Sequence, residues 1–209
     1  MSITRNALRL GLASVSTLAV SLGATAVAQA KPQHCQPAGA HTLVANNYAR
    51  VYGKNGKAYA CVRSSGKTLQ LAGADPSSDQ FAIGGRFVGW SSSSDPNADP
   101  GTQLLPHSVI TVMHLPDGHV DDYRYPFETN ETVDKIVVLS DGAAAWAMTP
   151  TPGGDSTFTD VQGTDRVNHP PDQLSDDHTD VVGSSLRVMS GKTITWSYSD
   201  GTTGTQALY

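Results

Sequence analysis

From residue 48 onward the chain is written in short runs of alternating apolar and polar residues, each ending at a turn-forming pair or triplet. The segment ARVYGKNGKAYACVRSSGKTLQL carries two such breaks, at Lys54-Asn55-Gly56 and at Ser64-Ser65-Gly66-Lys67, between three runs. FAIGGRFVGW breaks at Gly84-Gly85, and SVITVMHLPDGHVDDYRY at Pro116-Asp117-Gly118. DKIVVLSDGAAAWAM breaks at Asp141-Gly142, and SLRVMSGKTITWSYSDGTTGTQAL at Ser190-Gly191 and Ser199-Asp200-Gly201. Period-two alternation places one face of a strand inward, and Gly and Asn accept the positive φ of tight hairpin turns. So many hairpins in succession predict an all-β domain.

The hairpins also repeat. Gly85, Gly142 and Gly191 are each followed four or five residues later by a tryptophan, Trp90, Trp146 and Trp196. Gly56, followed by Tyr59 and Cys61, is expected to be the matching turn of the first unit. Equivalent tryptophans should fill the layers between neighbouring sheets, since a large aromatic residue dominates the burial of its surroundings. The run ARVYGKNGKAYACVRSSGKTLQLAG, continued by FAIGGRFVGW, resembles the hairpin units of secreted bacterial β-propeller-like (TolB/WD40-like repeat) proteins. The resemblance covers residues 48–92 and 133–208 and rests on strand-turn-aromatic motifs. It implies about four blade-like units, a partial or small propeller, with a β-sandwich or barrel as the alternatives.

Composition and charge add an address. Arg5 and Arg9 precede an apolar stretch from Leu10 to Val27, which ends in AVAQA with Ala28 and Ala30 at the −3 and −1 positions. This is the layout of a signal peptide over residues 1–30, interrupted by too many Ser and Thr for a membrane span. The expected product is a secreted protein with a tail over 31–47 and a single β domain over 48–209, not inserted in a membrane after cleavage. The two cysteines, Cys35 and Cys61, are expected to pair in an oxidising compartment and tether the tail to a strand. Residues 31–90 hold seven Lys or Arg against two acidic residues, whereas residues 91–209 hold five against seventeen. Such an acidic balance speaks against nucleic acid as a partner.

Two stretches, 91–107 and 150–180, are polar, rich in Pro, Gly and Asp, and read as long loops where function would reside. Asp95, Asn97 and Asp99 have a D-x-N-x-D spacing that can aim oxygens at Ca²⁺, although position twelve of the loop is Pro106 in place of a bidentate Glu. His114 and His119 flank the Leu-Pro-Asp-Gly turn with Asp121 close by, a set able to bind a divalent metal across a hairpin. His169, Asp172, Asp176, Asp177, His178 and Asp180 form an acidic, histidine-bearing stretch suited to a cation. No resident cofactor is expected beyond these candidate cation sites.

The sequence has no G-x-S-x-G elbow and no nucleotide or phosphate-loop fingerprint. Glu128 and Glu131 are its only glutamates. The expectation is a secreted, non-catalytic binding or interaction module that presents acidic loops to a protein or glycan. The alternative is an extracellular hydrolase of glycans or peptides whose Asp and Glu carboxylates converge only in the fold.

Overall fold

The structure is a computed structural model that describes residues 35–92, 109–124, 131–150, 159–164, 171–175 and 179–209. The signal-peptide residues Arg5, Arg9, Ala28 and Ala30 lie outside them. The described residues are all-β, with one short 3₁₀ turn at Gly183–Ser185. They form four antiparallel sheets, each a meander of consecutive strands. Sheet 1 contains β1 (His41–Ala45), β2 (Ala49–Lys54), β3 (Lys57–Val62) and β4 (Thr68–Gln70). Sheet 2 contains β5 (Phe81–Gly84), β6 (Phe87–Ser92), β7 (Val109–His114) and β8 (His119–Arg124). Sheet 3 contains β9 (Glu131–Val138), β10 (Ala144–Pro150), β11 (Asp160–Thr164) and β12 (Asp172–Gln173). Sheet 4 contains β13 (Arg187–Ser190), β14 (Thr193–Ser197) and β15 (Thr203–Ala207).

Turn chemistry produces these meanders. Asn55 and Gly56, at φ 51° and 70°, form the two-residue link between β2 and β3, where Lys54 pairs with Lys57. That positive-φ pair matches the twist of the flanking strands. Gly84 pairs with Phe87 and His114 with His119 around the next tight turns.

Alternation then stacks the sheets in chain order. Val51, Ala58 and Ala60 of sheet 1 pack with Val88, Trp90 and Met113 of sheet 2. Ala82, Ile110 and Val112, from the opposite face of sheet 2, pack with Ile136, Val138 and Trp146 of sheet 3. Val137, Ala145 and Val161 of sheet 3 pack with Ile194 and Trp196 of sheet 4. Each tryptophan therefore stands on the second strand of its sheet and faces the preceding sheet. All three are buried, as expected for core residues of a repeat. Trp196 lies directly over Gly204, its cross-strand partner, where a Cβ would collide with the indole.

Three expectations need correction. Gly56 joins the second and third strands of its sheet, whereas Gly85, Gly142 and Gly191 follow first strands, so Tyr59 and Cys61 are not the counterparts of the tryptophans. The first-to-second turn of sheet 1 uses Asn46, whose side-chain oxygen accepts from the backbone N–H groups of Tyr48 and Ala49 at 2.9 and 2.8 Å. The counterpart is Tyr52 on β2, which faces away from sheet 2 and is buried with Cys35 and Cys61. Second, the β domain starts before residue 48, because β1 pairs with β2 inside the stretch read as tail. Third, 150–180 is not one loop. It contains β11, with Val161 fully buried, and the edge strand β12. Among the five residues of DVQGT only Val161 is strongly apolar, so period-two reading had nothing to detect.

The tail is held as expected: Cys35 and Cys61 form a disulfide with Cα atoms 5.5 Å apart. The Arg50 guanidinium donates to the Cys35 carbonyl at 2.5 Å and to Thr42 Oγ1 at 2.8 Å. Tyr52 and Tyr59 stack at 5.4 Å beneath this strap.

Candidate functional site

The turns that follow the first strands of the four sheets touch one another in series. Asn46 Nδ2 donates to the Gly85 carbonyl at 3.1 Å, linking sheet 1 to sheet 2. Gly85 sits against Ser140, and the Phe87 ring against Gly142, linking sheet 2 to sheet 3. Lys192 Nζ lies 2.8 Å from Asp141 Oδ2, linking sheet 3 to sheet 4. Antiparallel meanders bring the β7–β8 turn to the same end, where Lys67 Nζ donates to the Pro116 carbonyl at 2.9 Å. One end of the stack is thus a continuous row of turns.

Within this row lies a half-open recess of about 250 Å³ lined by Phe87, Val112, His114, Asp117, His119, Asp121, Asp141 and Gly142. Phe87 supplies an apolar wall backed by the buried Val112, and the His114 ring leans on Phe87 with centroids 4.8 Å apart. Gly142 has φ +98°, and a Cβ there would come within 2.9 Å of the Phe87 ring, so the turn and the ring fit only with glycine.

His114 and His119 are direct cross-strand partners, as expected from their places around the turn. Their ring nitrogens are engaged with carboxylates: His114 Nδ1 lies 2.9 Å from Asp117 Oδ2, and His119 Nε2 lies 3.2 Å from Asp121 Oδ1. Among the described residues, no three His, Cys, Asp or Glu side chains are placed to hold a metal ion. Asp117 also accepts the backbone N–H of His119 at 2.9 Å. That amide first, then the His114 side chain, hold its carboxyl below the ordinary value. At Asp141 burial pushes the carboxyl up. The Lys192 ammonium and the Ala143 N–H outweigh it, and the net direction is downward.

Of the other sequence candidates, Asp95, Asn97, Asp99, His169, Asp176, Asp177 and His178 lie outside the described residues. Asp172 is exposed on β12. Asp180 caps a chain crossing, its Oδ1 accepting from the Thr159 N–H at 3.0 Å. Sequence reasoning missed Phe87, Asp117 and Asp141 as site residues. The signal was present in the two Asp-Gly turns, LPDGH and LSDGA, which were read for turn chemistry alone.

One further carboxyl is strongly perturbed. Asp79 is half-buried, and burial raises it to about 6 against the opposing N–H bond from Asp75, with the Asp75 charge adding to the rise. Asp75 in turn is held down by the hydroxyl and amide of Ser77. The two close a turn on themselves, with the Asp75 N–H 2.6 Å from Asp79 Oδ2, and neither lines the recess.

No protein-family model matches this chain, and no curated protein matches it.

Proposed function

We propose that this chain is an exported, non-catalytic binding module in which four blade-like sheets form a rigid scaffold and the row of turns at one end is the ligand-binding face. The observation that carries this reading is the recess at the His114–His119 hairpin. An apolar wall meets three carboxylates there, in a concave, partly solvated setting typical of recognition sites. The carboxylates are already committed to local partners, Asp117 to the His119 amide, Asp121 to His119 and Asp141 to Lys192. This pre-orders them to receive a group. The partner class is a protein or glycan presented outside the cell.

The test is an amide-resolved NMR titration of the purified protein with two probes, a short oligolysine and a neutral β-linked hexasaccharide. Shifts concentrated at residues 85–87, 112–121 and 140–143 with either probe are the expected result. Shifts confined to other faces, or none with either probe, overturn the assignment of the site, and turnover of a probe overturns the non-catalytic reading.

A further inference from the structure

We infer that the recess receives a primary alkylammonium group, such as a lysine side chain of a protein ligand, with its methylene stem along the Phe87 ring and its head at Asp117. This rests on the recess being the binding site.

Size, charge and an internal precedent point the same way. At about 250 Å³ the recess holds a side chain, being smaller than the roughly 300–1,000 Å³ usual for a whole small-molecule ligand. Its rim sets three carboxylates, Asp117, Asp121 and Asp141, beside the Lys192 ammonium and the imidazoles of His114 and His119, so with neutral imidazoles the carboxylates are in excess. Its wall is the Phe87 ring, a surface along which a lysine stem packs and to whose face its charge is attracted. A bare divalent ion has no use for that wall, and the described side chains offer it no three-ligand set. The precedent is Lys192 itself. It reaches from the β13–β14 turn to seat an ammonium 2.8 Å from Asp141 at the recess rim. Asp117 is the counterpart carboxylate: one oxygen accepts from the His119 amide and the other faces His114, yet its side chain is 62% exposed, which leaves its outward lone pairs to a visitor.

Isothermal titration with acetyl-Gly-Lys-Gly-amide, the same peptide with norleucine, and cadaverine separates the alternatives. The lysine peptide should bind and the norleucine peptide should not. Asp117→Asn should weaken the lysine peptide about tenfold, the usual loss for a hydrogen bond to a charged group. Lys192→Ala should strengthen it about threefold by unmasking Asp141, within the range of an exposed ion pair. Cadaverine binding as well as the peptide identifies a free amine as sufficient, whereas peptide binding alone identifies a protein side chain. Equal binding of lysine and norleucine peptides, or an unchanged affinity in Asp117→Asn, overturns the inference. If the hexasaccharide alone shifts the recess amides, the ammonium inference fails while the binding site stands. If no probe shifts them, both fail.

Discussion

Removing the Cys35–Cys61 bond tests what the strap contributes. The linked residues are 26 apart in sequence. Loop-closure entropy for a loop of that length gives about 3.5 kcal/mol of stabilisation through the unfolded chain. A second contribution comes from the native side. Arg50 is only 7% exposed, and its guanidinium uses the Cys35 carbonyl and Thr42 Oγ1 as acceptors. If the freed strap lifts, one acceptor of a buried cation is lost, at about 1–3 kcal/mol. If it stays seated, only the entropic part disappears. For a domain of this size each kcal/mol moves the midpoint by about 2–4 °C, so Cys35→Ala/Cys61→Ala should melt about 7–14 °C lower with the strap seated, and lower still with it lifted. Calorimetry measures the total, and hydrogen exchange at the amides of Arg50 and Tyr52 shows which case holds. A midpoint change under about 2 °C would refute the reasoning. So would two free thiols in the unfolded, unreduced protein.

The repeat predicts a matched series: Trp90→Ala, Trp146→Ala and Trp196→Ala should each cost about 3–5 kcal/mol in urea unfolding, and one near zero would break the equivalence. Asp79 predicts a pH dependence. Its folded pKa, about 6, lies above the ordinary 3.8, so its contribution to stability is complete below pH 3.8 and is lost as pH rises through 6. Asp79→Asn should therefore stabilise the protein at pH 7.5 relative to wild type and lose that advantage by pH 4. Solvent screening of a half-exposed group holds the difference to about 1 kcal/mol. Denaturant midpoints at the two pH values check the sign, and an advantage that grows on acidification would refute it.

How much of this was legible in the sequence depended on whether the information was local. Asn55-Gly56, Gly84-Gly85 and Asp141-Gly142 announce their hairpins because turn geometry is set by two residues. The tryptophans announce equivalent strands because each lies four or five residues past its turn. The first unit does not align by its glycines because its equivalent turn contains none, and the Asn46 side chain closes that turn. Strand β11 stayed hidden for a different reason. Gln162 and Thr164 are buried polar residues, so the buried face opposite Val161 does not look apolar. The recess is legible only in part, through His114, His119 and Asp121 around one turn. Asp117 and Phe87 belong to sheet 2 and Asp141 to sheet 3, and their meeting depends on how those two sheets stack.

The stacking also explains why the disulfide stands where it does. In a stack of similar sheets, inner faces cover one another and the two terminal faces need separate treatment. Sheet 4 ends the stack with hydroxyls. Ile194 and Trp196 face sheet 3, so the alternate residues Thr193, Thr195 and Ser197 face outward, paired across the strands with Ala207, Thr205 and Thr203. Thr195 is buried by its neighbours and its hydroxyl donates to the Gly204 carbonyl at 2.9 Å, while Thr203 and Thr205 are exposed, so the hydroxyls of this face are either bonded or solvated. Sheet 1 ends it with Tyr52 and Tyr59, the aromatic face that in every later sheet is buried against its predecessor. With no preceding sheet, something else has to cover it, and the segment pinned by Cys35 does so, leaving Tyr52 only 5% exposed. Both terminal faces are therefore committed to ending the stack. The recess lies away from both, in the row of turns that links each sheet to the next.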